Sequence, residues 1–207
     1  MAEKRERYEL RTVERAEEIT LAPAVPLAYF TGGVPGYEPR TEAALVYVRG
    51  SGFLARLTSF EARDQRRAVC REEDGEVYRD SCLELFINFA PEKGRDYLNL
   101  EVNPLGTLHA KFGPGRGGRR ALPPEIERPR LRCRAEEESW SAEIFIPLDC
   151  VEALFGKDRF ERGDVLRGNF YKCGDDCARP HYGMWSPVVS ERPDFHRPEQ
   201  FGELVIV

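Results

Sequence analysis

The sequence predicts an all-β fold, an antiparallel β-sandwich of two packed sheets with one or two short helices. Three observations predict it. Apolar and polar residues alternate with a period of two through most apolar segments. The 15 prolines and 18 glycines fall mostly between those segments, as turn punctuation does. Only one segment reads as a capped helix. At 207 residues, with no linker or repeat, the chain is expected to form a single domain over 1–207. A domain of that size buries roughly 70% of its unfolded surface, enough for a core without disulfides or metal.

Residues 1–20 are dense in charge and read as a peripheral extension or edge strand. "EAALVYVRG" and "GFLARLTSFEA", separated by Gly-Ser-Gly, read as a hairpin. A helical turn is expected around Arg63–Arg67. In "DSCLELFINFA", Leu83, Leu85, Ile87 and Phe89 share one face, and Cys82, Glu84, Phe86 and Asn88 the other. "DYLNLEVNPLGTLHAKFG" sets Leu98, Leu100 and Val102 against Asn99, Glu101 and Asn103. A strand in "LRCRAEE" precedes "WSAEIFIPL", where Trp140, Ala142, Ile144 and Ile146 share a face. A short helix over Leu148–Phe155 follows, with Asp149 as its expected N-cap. "DVLRGNFYKC" carries Arg167, Asn169 and Tyr171 opposite Phe170, and "GELVIV" completes the series.

A net charge of −5 argues against nucleic acid as the partner. The basic stretch "GPGRGGRR", Arg116–Arg120, reads as a solvated loop. No segment reaches about 18 uninterrupted apolar residues, and the first residues lack the apolar run of a secretory signal. No membrane role and a cytoplasmic location are therefore expected. The six cysteines are scattered in the manner of reduced core thiols.

The polar strand faces point to function. Asn and Glu interleaved with Tyr and Phe suit vicinal hydroxyls, which donate and accept in pairs, and the apolar C–H faces of sugars. Beyond them, "CGDDCARPHYGMWSP" reads as a long connection that carries Tyr182 and Trp185 over the polar face.

In order, "VYRDSCLELFINF", "YLNLEVNPLGTL", "WSAEIFIPL", "RGNFYKC" and "FGELVIV" resemble carbohydrate-binding module family 9, within the DOMON-like superfamily. The match runs from about residue 20 to the end. It implies a sandwich holding a terminal sugar between two loop aromatics, with polar strand residues beneath. By this resemblance the strand glutamate falls on Glu84 and one aromatic wall on Tyr78, where the family usually has Trp. Trp185 is the candidate for the other wall, and Trp140 matches a core tryptophan. The implied ligand is a mono- or oligosaccharide, bound without catalysis as part of carbohydrate catabolism. Tyr78 and Trp185 form the walls, Glu84, Asn99, Glu101 and Asn169 the floor; Arg79, Tyr171, His181 and Tyr182 stand beside them.

Other readings remain. Glu84 and Glu101 suit a glycosidase acid/base pair. An interaction domain that has lost the sugar is a third class. Cys173, Cys177 and His181 offer three zinc ligands, with His196 as a distant fourth. Met184 with His109, His181 or His196 offers haem ligation. Family 9 modules carry structural calcium, for which Asp74, Glu76, Asp164, Asp175 and Asp176 are the oxygen donors at hand. No cofactor is otherwise expected.

Overall fold

A computed structural model describes residues 5–207. Its first strands are β1 (Arg7–Val13), β2 (Val25–Pro26), β3 (Tyr29–Phe30), β4 (Thr41–Val48) and β5 (Gly52–Ser59). Next come β6 (Cys82–Asn88), β7 (Tyr97–Val102), β8 (Leu108–Gly113), β9 (Arg120–Ala121) and β10 (Arg130–Ala135). Then follow β11 (Trp140–Pro147), helix α1 (Leu148–Phe155), β12 (Val165–Cys173), β13 (Tyr182–Met184) and β14 (Gly202–Ile206). The all-β class holds.

The arrangement differs from two separate antiparallel sheets. One hydrogen-bonded path runs β10-β11-β5-β4-β1-β14-β12-β6-β7-β8-β9, with β2, β3 and β13 attached beside it. The join is β1. Arg7–Leu10 pair in parallel with Glu203–Ile206 of β14, and Arg11–Val13 pair in parallel with Val46–Val48 of β4. The expected peripheral extension is thus a central strand. Tyr8 and Leu10 are its buried face, between the outward charges of Arg7, Glu9 and Arg11. Where β1 leaves β4, the Tyr8 hydroxyl takes over the vacated ladder positions. It receives the Leu45 N–H at 2.9 Å and donates to the Leu45 carbonyl at 3.0 Å.

The curled path encloses one main core. Leu83, Leu85 and Ile87 of β6 and Leu98 and Leu100 of β7 meet Phe53, Leu57, Ile144 and Ile146 from the other half. Phe53 and Phe89 touch across it, with ring centroids 4.7 Å apart. Trp140 is buried here too, its indole N–H donating to Glu61 Oε2 at 3.2 Å. Helix α1 begins from Pro147 rather than Asp149, which sits inside its first turn, where a negative charge faces the positive end of the helix dipole. Gly156 ends the helix in the left-handed conformation, φ +63°.

Candidate functional site

Register alone assembles a polar platform on the face of β12, β6, β7 and β8 turned away from the core. Across it, Tyr171 lies opposite Glu84, Glu84 opposite Glu101, and Glu101 opposite His109. The adjacent row is Asn169, Phe86, Asn99 and Lys111. A cavity of about 450 Å³ lies against this platform, with Glu84, Glu101, His109, Lys111 and Cys173 lining it. Tyr78, Tyr182 and Phe195 supply aromatic lining, and Arg116, Arg119, Asp175 and His196 add charge and polarity.

The surrounding loops are tied to one another. Asp175 and Asp176 amides donate to the carbonyls of Tyr78 and Arg79, both at 3.1 Å, fixing the loop after β12 to the turn before β6. The His109 ring sits against the carbonyls of Asp74 and Gly75 through Nδ1, at 2.8 and 2.9 Å. Carbonyls only accept, so Nδ1 carries a proton there. Asp74 is held by Arg128 and by the Ala110 amide. Burial opposes its ionisation, but those contacts outweigh burial and hold its carboxyl below the usual range.

The two floor carboxyls differ. Glu84 is 3% exposed, and Cys173 Sγ donates to its Oε1 at 2.9 Å. Burial, then the charge of Glu101, pushes the Glu84 carboxyl well above its ordinary range. Glu101 accepts from Asn99 Nδ2 at 2.9 Å and lies 3.7 Å from Arg119, which also donates to Asn99 Oδ1. The floor therefore pairs a carboxyl held above its ordinary range with one engaged by Asn99 and Arg119. His196 bonds Tyr97 Oη through Nδ1 at 2.8 Å and stacks on Phe86 at 4.9 Å. Its burial, with Arg119 and Arg116 close by, lowers its pKa to about 3, so it is a neutral ring.

Of the residues expected from sequence, Tyr78, Glu84, Glu101 and Tyr182 line the cavity, and Asn99 sits behind them holding Glu101 and Arg119. Trp185 does not. It is 5% exposed in the main core, edge-on to Tyr8 and Phe170 at 6.3 and 5.7 Å. The reason is strand parity. The expected loose connection contains β13, and Trp185 directly follows it, three residues from Tyr182, so the two rings leave on opposite faces.

Asn169 is fully buried, bridging both backbone groups of Ser186. Tyr171 is buried too; it donates to the Phe195 carbonyl and stacks on the Phe195 ring at 4.1 Å. Arg79 lies on the surface between Glu76 and Asp176. His181 belongs to a separate buried cluster, where Lys172 Nζ donates to its Nε2 at 2.6 Å and forms an ion pair with Glu61 at 3.0 Å. Its Nδ1 then donates to the Arg179 carbonyl at 2.8 Å. Burial, then the Lys172 charge, lowers the His181 pKa to about 4.

Residues the sequence reading set aside also reach the cavity. Arg116 and Arg119 come from the supposed solvated loop, and Arg116 is held by Asp194 at 2.9 Å. His109 and Lys111 share the outward parity of β8, a signal readable in "LHAKFG". Phe195 carried no such signal, because it reaches the cavity from an irregular segment.

Cys177 and His181 do not join Cys173 in a zinc set: Cys177 Sγ meets Ser81 Oγ at 3.5 Å, and His181 is engaged by Lys172. Met184 Sδ accepts the Val188 amide within a buried cluster, while the rings of His109, His181 and His196 are engaged by the Asp74 and Gly75 carbonyls, by Lys172 and by Tyr97. Among the described residues the oxygen donors considered for calcium form no group of three with ligand atoms close together; Asp74 is taken by Arg128 and Asp164 by Lys157.

The profile of the carbohydrate-binding family 9 matches residues 35–206. The chain belongs to this family. Family 9 likeness extends to solved structures. A candidate carbohydrate-binding protein from Bacteroides uniformis aligns with a TM-score of 0.83 at 27% identity, covering 99% of this chain and 100% of that one. A family 9 module from Caldicellulosiruptor kristjanssonii in complex with cellotriose aligns at 0.69 and 11% identity, over 97% and 93% of the two chains. Its complex with glucose aligns at 0.65 and 12%, over 99% and 96%. No curated protein matches the chain. Among the described residues no helix is long and apolar enough to cross a membrane.

Proposed function

We propose that this family 9 chain holds a mono- or oligosaccharide in the cavity over β6, β7 and β8 without cleaving it, as a binding step in carbohydrate catabolism. The observation that carries the reading is the cavity itself, where Tyr78, Tyr182 and Phe195 meet a floor of Glu84, Glu101 and His109. Rings offer faces to sugar C–H bonds, while the Glu84 and Glu101 carboxyls offer hydrogen-bonding oxygens to hydroxyls. The roughly 450 Å³ volume falls within the range of small-ligand sites.

A glycan array followed by calorimetry tests this. The expected result is a saccharide that binds wild type and loses at least tenfold in affinity in Tyr182→Ala. A folded protein silent across the array overturns the reading, as does an affinity unmoved by Tyr182→Ala. The facing Glu84 and Glu101 favour one second reading, hydrolysis with Glu84 as acid. Release of reducing sugar from bound ligand, lost in Glu84→Gln, would establish that reading instead.

A further inference from the structure

Cys82 and Cys173 face each other across β6 and β12, and Glu84 lies two residues along β6 on the same side. Their two sulfurs and a carboxylate oxygen lie within 4.8 Å of one another, the only such potential metal-ligand group of three among the described residues. All three side chains are buried. Cys173 and Glu84 nevertheless line the cavity, so the cluster has a route to solvent.

Neither thiol has a good alternative partner. Outside the cluster Cys82 Sγ reaches the Leu83 carbonyl, at 3.8 Å, and Cys173 Sγ the Tyr78 carbonyl, at 3.5 Å; within it the two thiols bond each other and Cys173 Sγ donates to Glu84. A second observation comes from the facing strand. Glu101, opposite Glu84, is 3% exposed, and its Oε2 is buried with no hydrogen-bond partner among the described residues. Two carboxyls and two thiols thus share one buried floor, an arrangement that a bound dication relieves.

We infer that Cys82, Cys173 and Glu84 form a site for a thiophilic divalent ion, Zn²⁺ in the first instance, at the bottom of the cavity. Two sulfurs and one oxygen complete three tetrahedral positions, leaving the fourth toward the cavity, the pattern of an open zinc site. With Zn–S bonds of about 2.3 Å, two sulfurs on one zinc stand about 3.8 Å apart, so small side-chain rotations suffice. Binding replaces the Cys173–Glu84 hydrogen bond. The two thiol protons, and any proton on Glu84, pass to solvent as the thiolates and carboxylate ligate the ion. The inference does not rest on the cavity's ligand being a sugar.

The test is a titration of the reduced, chelator-stripped full chain with Cd²⁺, followed by thiolate-to-cadmium absorbance, with Zn²⁺ as competitor and no saccharide present. We expect saturation at one equivalent and displacement by Zn²⁺. Cys82→Ser and Cys173→Ser should each weaken binding at least tenfold, and Glu84→Gln should weaken it less, while Cys70→Ser leaves the curve in place. A folded wild type without saturable absorbance overturns the inference, as does a curve that moves only in Cys70→Ser. If the serine variants do not fold, the wild-type chain decides. Cd²⁺ should slow alkylation of Cys173 at least tenfold by mass spectrometry without slowing that of Cys70, and equal rates overturn the site.

Discussion

Replacing Trp185 by alanine separates a core ring from a ligand wall. The indole is 5% exposed, packs edge-on to Tyr8 and Phe170, and lies so close to Gly202 that a Cβ there would meet its Cζ3 at 2.5 Å. A ring of this kind buries roughly 150–250 Å². At about 25 cal/mol/Å² that is roughly 4–6 kcal/mol, an upper bound because the unfolded chain already hides some surface. Core Trp→Ala changes cost about 3–5 kcal/mol, so about 4 kcal/mol is expected. With an m-value of about 2.5 kcal/mol/M, the urea midpoint falls by about 1.6 M. Urea unfolding followed by circular dichroism measures this, and calorimetry below the transition measures the sugar. Stability should fall steeply while affinity stays within a few-fold of wild type. A midpoint within 0.5 M of wild type (roughly 1 kcal/mol at that slope), combined with lost affinity, would refute the packing argument and make Trp185 a wall after all.

Gly202→Ala should also destabilise, by roughly 1–3 kcal/mol, since its new methyl is driven into the Trp185 ring; a neutral thermal shift would show that the ring has room to move. Glu61→Gln leaves the fully buried Lys172 ammonium without its carboxylate and should cost about 3–5 kcal/mol by urea titration, whereas a cost under 1 kcal/mol would mean water reaches the cluster. His181 and His196 titrate near 4 and 3 when folded against about 6.5 when unfolded, so falling pH protonates the unfolded chain first. Their contribution is complete above about pH 6.5 and is lost as pH drops toward 4 for His181 and toward 3 for His196; His181→Asn should flatten the upper part of that stability–pH curve. Glu84 acts in the opposite direction, because its raised folded pKa stabilises at low pH and that benefit is lost as pH rises through it. Glu84→Gln should therefore be more stable than wild type at neutral pH, and an unchanged melting temperature would count against a raised Glu84 carboxyl.

Much of the fold was legible because strand parity is rigid. The alternation of Leu83, Leu85 and Ile87 against Cys82, Glu84 and Phe86 placed the core and the platform on their correct faces. Glu84, Glu101, Tyr78 and Tyr182 reached the cavity for the same reason or by resemblance. Parity also contained the signal against Trp185, an odd number of residues from Tyr182, once the segment is read as strand rather than loose loop. What could not be read was long-range. Arg116 is held by Asp194, 78 residues away, and Arg119 meets Asn99, 20 residues back; neither pairing leaves a local pattern. The place of β1 was hidden similarly, since two buried residues among charges look like an edge until both partners are known.

That divided strand has a consequence for synthesis. β4 follows β1 closely in the chain, but β14 is made long after both. A nascent chain can complete the Arg11–Val13 half of β1's ladder early, while Arg7–Leu10 must wait for Glu203–Ile206 to emerge. Until then β12 lacks its β14 neighbour, and open strand edges of that kind recruit other chains. A chain stalled shortly before residue 202 would thus carry an unfinished edge however well the rest had packed.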